Sequence, residues 1–183
     1  SMPEMTDVGG TTVSTDDKGD WLAEQSWFDP PLSQGTGGGG VSALFERPDW
    51  QQHLTAPKGD GKRLTPDIAA VADPFTGVQI VFNQQIIVGG GGTSLAAPIW
   101  AGLTALMNQY VVDKGGSLIG NINPVLYTIA QGTPPLPAFR DVVLGGNAVA
   151  NAAPGYDLVT GGLGTPNVEN LAQNILVTQK VVG

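Results

Sequence analysis

Residues 74–112 carry no charged side chain. An uncharged run of that length is either buried by protein or immersed in lipid. Asn83-Gln84-Gln85 and Gly89-Gly90-Gly91-Gly92 cut it into pieces too short to span a bilayer, so it reads as a buried strand, loop and helix unit with no membrane partner. Val78-Gln79-Ile80-Val81-Phe82 and Ile86-Ile87-Val88 flank the polar triplet as two strands of a hairpin with a short turn. Over residues 94–110 the period changes. Leu95, Ile99, Trp100, Leu103, Leu106, Met107 and Tyr110 recur three or four apart, which predicts a helix. Alanines and Gly102 fill most of the other positions, so the helix is apolar nearly all round and is expected in the centre of a fold. Pro98 falls near the first turn, where its missing N–H costs little.

The rest of the chain is punctuated by 27 glycines and 14 prolines. Residues 8–13 and 40–45 read as short strands, and Pro66-Asp67-Ile68-Ala69-Ala70-Val71-Ala72 as an apolar run stopped by the turn signal Asp73-Pro74. Arg47-Pro48-Asp49-Trp50-Gln51 opens a short helix or turn, and residues 55–65 read as polar loop. A second helix starts near Asn123-Pro124, and residues 168–177 form a third, capped by Asn167. Gly37-Gly38-Gly39-Gly40 has the composition of a linker, but Val41-Ser42-Ala43-Leu44-Phe45 follows at once, which favours a tight loop inside a domain. Strand-rich segments followed by helix-rich ones predict an α/β layered architecture over residues 1–183. Ser1-Met2 has the look of a remnant left by tag cleavage.

Charge and residue usage exclude several chemistries. Sixteen acidic residues stand against eight basic ones, a net charge of −8, so a phosphate-binding or nucleic-acid surface is not expected. The absence of cysteine rules out thiolate catalysis, disulfides and a Cys-ligated zinc. His53 is the only histidine, so a multi-histidine metal centre cannot form and a Ser-His-Asp triad would have to use that residue. It lies in a polar stretch and reads as surface.

Gly89-Gly90-Gly91-Gly92-Thr93-Ser94 stands directly before the long helix. A serine there lies near unpaired backbone N–H groups and the positive end of the helix dipole, which stabilise negative charge developing on an attacked carbonyl. The plainer role for such a serine is an N-cap. A phosphate loop does not fit, because no lysine follows at the required position and the dinucleotide fingerprint is absent.

Gly92-Thr93-Ser94-Leu95-Ala96-Ala97-Pro98, with Ala101-Gly102-Leu103 and Asn108, resembles the nucleophile segment of the subtilisin and sedolisin superfamily. Val8-Gly9-Gly10-Thr11, Gly38-Gly39-Gly40-Val41-Ser42, Pro66-Asp67-Ile68-Ala69 with Ala72-Asp73-Pro74, Asn123-Pro124 with Leu126-Tyr127, and Phe139-Arg140-Asp141 through Pro154-Gly155-Tyr156-Asp157 to Thr160-Gly161 resemble sedolisin (serine-carboxyl peptidase) segments in family order. The resemblance implies a subtilisin-like layered α/β fold with a central, mainly parallel sheet, of which residues 1–183 are the C-terminal portion. It implies a serine-type endopeptidase working in acid through an acyl-enzyme on Ser94, with a glutamate as base, an aspartate orienting it and a further aspartate at the oxyanion. None of these three acids has a matching segment in the 183 residues. Asp67 and Asp73 match segments without a catalytic role and read as turn or capping residues, while Glu46 and Asp49 read as solvated. The isolated chain is therefore expected to be silent, with exposed apolar surface where the rest of a sheet is absent. The alternative is a non-catalytic sedolisin-like module that binds peptides or partners. By resemblance the partners are a peptide or protein substrate, the remaining N-terminal half of the catalytic domain and a propeptide, and the protein is secreted or extracellular.

Asp141 and Asp157 bracket a loop rich in Gly, Asn and Ala. Two aspartates around such a loop usually mean turns, and their spacing is not that of an EF-hand. The family resemblance implies one Ca2+ held by the Asp141 and Asp157 carboxylates and the backbone carbonyls of Val142, Ala153 and Gly155. Ala153 stands where the family has glycine, and residues 160–166 hold one glycine more than its pattern.

Overall fold

A computed structural model describes residues 2–30, 34–54, 61–87, 90–132, 136–159 and 161–182. The expectations placed on Ser1, residues 55–60, Val88, Gly89 and Thr160 lie outside the described residues. In chain order the strands of the first half are β1 (Val8–Thr15), β2 (Trp21–Ser26), β3 (Phe28–Asp29), β4 (Gly35–Thr36), β5 (Gly40–Glu46), β6 (Lys62–Thr65), β7 (Ile68–Val71), β8 (Ile80–Phe82) and β9 (Gln85–Ile87). Helices α1 (Thr93–Asp113) and α2 (Ile122–Gln131), strands β10 (Phe139–Arg140) and β11 (Thr165–Pro166), and helix α3 (Val168–Val182) complete the chain.

The α/β architecture is built around a three-stranded sheet in the order β2-β1-β7. β1 runs parallel to β7, from Val8 opposite Ile68 to Thr11 opposite Val71. Its second half pairs antiparallel with β2, from Thr11 opposite Ser26 onward. Far from β1, β7 is closed by the loop before β11, where Ala69 N–H donates to Gly164 O and Leu163 N–H to Asp67 O. The glycine tetrad is a tight loop, as its flanking residues predict: a Cβ on Gly39 would lie 2.3 Å from Thr65 O and 2.2 Å from Leu158 O.

α1 crosses the sheet, and Trp100 Nε1 donates to Ala69 O of β7 at 2.8 Å. Ala96, Trp100, Met107 and Val111 form its buried stripe, joined in one core with Ile68, Ala70 and Ala72 of the sheet side, Leu126 and Ile129 of α2, and Leu171 and Ile175 of α3. The expectation of an all-round buried helix is corrected here. Ala97, Ala101, Ala105 and Leu106 are exposed, Leu106 at 62%, because no described element packs on that face. No helix among the described residues is long and apolar enough to cross a membrane. Asn167 caps α3 as expected, its Oδ1 accepting from Asn170 N–H at 3.2 Å.

Asp67 is also corrected, because it is the centre of a buried network. Arg63 and Asp67 are both fully inaccessible, with Arg63 Nη1 donating to Asp67 Oδ1 at 2.9 Å and Nη2 to Oδ2 at 2.5 Å. Tyr127 Oη donates to Asp67 Oδ1 (2.8 Å) and Asp7 N–H to Oδ2 (2.8 Å). Gln51 Nε2 donates to Tyr127 Oη and to Leu64 O, both at 2.8 Å. The Trp50 ring lies under the guanidinium at 4.9 Å. Desolvation opposes the Arg63 charge, but the hydrogen bonds and charge of Asp67 outweigh it, so Arg63 titrates above its ordinary value.

Candidate active site

The helix that presents Ser94 begins at a glycine with a conformation side chains rarely adopt. Gly92 has φ +85° and occupies the N-cap position, with no side chain capping the helix. Its N–H donates to Ala72 O at 2.6 Å, tying the glycine loop to the residue after β7. Its carbonyl accepts from Leu95 N–H at 2.8 Å. Ser94 is thus the second residue of α1, and the N-cap reading is set aside: Gly92 occupies that position, and the Ser94 hydroxyl is free to face solvent. The amides of Thr93 and Ser94 precede the helix's own ladder, leaving them as donors aimed out of its positive end.

Ser94 lies on the rim of an open hollow of about 590 Å³, lined among others by Met5, Asp7, Val8, Phe45 and Ala97. A second hollow of about 410 Å³ shares Met5, Thr6, Val8 and Ala97 with it and continues along α1 past Ala101 to Thr104. The sheet is open beside them. β2 pairs with β1 from Thr11 onward and Trp27 N–H donates to Gly10 O at 3.1 Å, so among the described residues the second edge of β1 is without a strand only at Val8–Gly9.

The other candidate acids do not converge on Ser94. Asp67 is locked to Arg63 and Tyr127. Asp73 acts as the expected turn residue, with Oδ1 accepting from Phe75 N–H and Oδ2 from the Thr12 hydroxyl, each at 2.8 Å. Glu46 pairs with Lys62 at the surface, Asp49 opens the 3-10 turn Asp49–Gln51, and His53 is exposed. Asp7 is the carboxylate that lines the hollow with Ser94, and it belongs to none of the sequence motifs. Only its place one residue before β1 marks it, and nothing local in the sequence signals that α1 lies across that strand end.

In the C-terminal loop, Asp141 and Asp157 turn toward the same stretch. Asp141 Oδ2 accepts from Gly155 N–H at 2.6 Å, and Asp157 Oδ2 from Ala153 N–H at 3.4 Å. Val142 and Asp157 are buried, whereas Asp141, Ala153 and Gly155 are exposed. Gly155 has φ +80°, while Ala153 is not among the residues with positive φ, so alanine is accommodated there. Gly162 and Gly164, at φ +53° and +100°, turn the next loop against the backbones of Asp67 and Arg140. The donor set is oxygen-only and drawn from one loop, which fits a hard cation such as calcium. Tyr156, between the ligand candidates, donates to Pro66 O (2.9 Å) and packs near Tyr127 at 6.2 Å. Burial pushes both phenols well above the usual tyrosine value, Tyr127 further by the proximity of Tyr156 and Asp67, and Tyr156 by that of Asp67.

Ser94 thus stands at a helix head behind a glycine loop, beside a parallel strand pair crossed by α1. No family model matches the chain. Kumamolisin of Bacillus sp. strain MN-32 is 37% identical over 188 residues, covering 96% of this chain and 32% of that protein. Sedolisin of Pseudomonas sp. strain 101 is 33% identical over 168 residues, covering 88% and 27%. The solved structure of Pseudomonas sedolisin, a serine-carboxyl proteinase complexed with two molecules of pseudo-iodotyrostatin, superposes with a TM-score of 0.80 at 32% identity, covering 97% of this chain and 47% of that one. The chain is a member of the sedolisin family, with the α/β, subtilisin-like fold of a portion of the solved sedolisin chain. It spans about a third of the length of the curated relatives and about half of the solved sedolisin chain.

Proposed function

We propose that this chain supplies the nucleophile half of an acid-acting serine-type endopeptidase. The observation that carries the reading is the exposure of Ser94 as the second residue of α1, beside two unpaired helix-head amides and on the rim of an open hollow. Ser94 Oγ attacks the peptide carbonyl, the helix-head amides support the oxyanion, and the C–N bond then breaks, the amine leaving with a proton returned by the base to give an acyl-enzyme that water hydrolyses. The proton from Oγ goes to a glutamate of the remaining half of the domain, a base that stays competent where histidine would be protonated. That half lies against the open edge of Val8–Gly9 and the exposed face of α1. Before activation, a propeptide is a further partner. The complete protein is secreted, and its substrate is a peptide or protein.

Asp141, Asp157 and the carbonyls of Val142, Ala153 and Gly155 would hold the calcium ion. When bound, it supplies charge neutralisation to a loop anchored on the Arg63 network through Tyr156. The engagement of Asp67 and Asp73 elsewhere favours a second reading for this chain alone, a module that binds peptides without cleaving them. The test is peptide hydrolysis in acid by the purified chain and by the chain joined to or mixed with the complementary half. The proposal expects activity only in the second case, abolished by Ser94→Ala. Ser94-dependent activity of the chain alone would overturn the division of labour and make Asp7 the acid to replace next. No activity in either case supports the binding module.

A further inference from the structure

The start of α2 holds two asparagines, and only one of them has the role usual for asparagine there. Asn121 is the N-cap, its Oδ1 accepting from Asn123 N–H at 3.1 Å. Asn123 is the second residue of the helix and is fully buried. Its side chain is spent on residues 117 to 120 positions earlier in the chain. Nδ2 donates to Met5 O (3.0 Å) and Pro3 O (3.4 Å), and Oδ1 accepts from the Thr6 hydroxyl (2.8 Å). A primary amide offers two N–H donors and a carbonyl acceptor, and here both kinds are committed to one short segment. Leaving such a buried amide unpaired is costly, so the pairing fixes the segment against α2.

That segment forms part of the Ser94 hollow. Met2 and residues 5–8 line it together with Thr93, Ser94 and Ala97 of the α1 head. The two sets of lining residues are held by different means. The α1 head is tied to the sheet side through Gly92 N–H on Ala72 O and Trp100 Nε1 on Ala69 O. Residues 3–6 precede β1 and belong to no strand. Met5 N–H turns back on Met2 O at 3.1 Å, and Arg63 Nη2 reaches Met5 O at 3.3 Å. Asn123 supplies the bonds to Pro3 and Thr6 and a shorter one to Met5. It is not itself a lining residue, yet it holds the wall that faces the hollow with Ser94.

We infer that Asn123 is a positioning residue for the site: it fixes the wall of residues 3–6 at a set distance from Ser94 and so defines the space in which a peptide meets the hydroxyl. The inference rests on the peptidase reading for what enters the hollow, and its first test reads the hollow alone. The chain has no cysteine, so nitroxide labels on Met5→Cys and Ser94→Cys are placed without competing thiols. The doubly labelled chain should give one narrow inter-label distance by dipolar spin resonance. Asn123→Leu, which keeps the volume but neither donor nor acceptor, should broaden or shift that distance. Thr6→Val, which exchanges only the hydroxyl for a methyl, should do the same, and Thr6→Ser, which keeps the hydroxyl, should retain the parent distance. Asn174→Ala removes another buried amide, one that donates to Leu136 O at 2.7 Å, and should leave the distance unchanged. Circular dichroism checks that each variant folds, and Thr6→Val carries the test if Asn123→Leu does not. In the completed domain, with Met5 and Ser94 intact, both clamp variants should raise KM at least about fivefold with kcat held within about twofold, the signature of lost substrate binding with the nucleophile untouched. An unchanged distance in the clamp variants that fold, or an equal change in Asn174→Ala, overturns the inference, as does an unmoved KM in an active domain. If the parent domain hydrolyses no peptide, the peptidase reading fails while the distances still decide the clamp.

Discussion

Asp67 and Ser94 stand at opposite ends of the segment that passes through β7 and the hairpin into α1, and they have opposite fates. Around Asp67 the carboxylate oxygens carry Arg63, Tyr127 and the Asp7 amide, and the group is sealed from water. Around Ser94 the helix-head amides lack helical acceptors, the side chain is exposed, and the sheet edge at Val8–Gly9 carries no strand among the described residues. One region has turned its polar groups inward to hold β1, β6, β7 and α2 together. The other leaves them pointing outward, which is wasteful for stability and useful for binding and acyl transfer. The difference teaches that the strongly polar cluster around Asp67 is scaffold, and that the exposed serine at the head of a largely apolar helix is the polar group left available for chemistry.

Exchange of roles under mutation is the strongest way to break that contrast. Ser94→Ala is expected to lower peptide hydrolysis by the completed domain by about a thousandfold or more, with urea-unfolding stability unchanged to within about 0.5 kcal/mol because the side chain is exposed. Asp67→Ala does the reverse. It leaves Arg63 buried without its partner, and equilibrium unfolding should register a loss of about 3–5 kcal/mol. If Asp67→Ala were tolerated, the network would be a bystander. The proposed calcium ion would sharpen the comparison from the scaffold side, since the loop proposed to hold it reaches Pro66 O and the neighbourhood of Tyr127 through Tyr156. Chelation should lower the melting temperature by the equivalent of about 2–3 kcal/mol when calcium had been near a hundredfold above its Kd. Asp157→Ala should abolish that difference. Gly92→Ala forces a side chain into φ +85° and should cost about 1–3 kcal/mol, measurable as a drop in melting temperature.

The smallest effect is hidden at neutral pH. Tyr127 and Tyr156 titrate above the ordinary tyrosine value in the fold, so their contribution is complete below about pH 10 and is lost as pH rises beyond it, when the unfolded chain gains phenolate. Absorbance at 295 nm should show these two phenols ionising together with alkaline unfolding. A titration of either near pH 10 with the fold intact would show that the network is open to water.

Local pattern carried much of this molecule. The spacing of Leu95, Ile99, Leu103 and Met107 at every fourth residue marked α1, Asn167 marked the start of α3, and Asn83-Gln84-Gln85 marked the hairpin turn, of which Gln85 proves to begin β9, since each signal depends on residues within a turn or two of one another. The glycine loop and Ser94 were legible for the same reason. Tertiary structure decided the rest. Asp67 reads as a turn residue until Arg63, Tyr127 and the Asp7 amide close on it, contacts that include partners 60 residues away. The all-apolar composition of α1 does not tell which face is covered, and only packing shows Ala96 and Trp100 inward with Ala97 and Ala101 outward. Asp7 enters the hollow of Ser94 only because α1 crosses the end of β1. Sequence by itself determined which residues are able to do chemistry, because that follows from side-chain type and local backbone. The fold decided which are free to do it, because freedom depends on what distant segments bury or leave open.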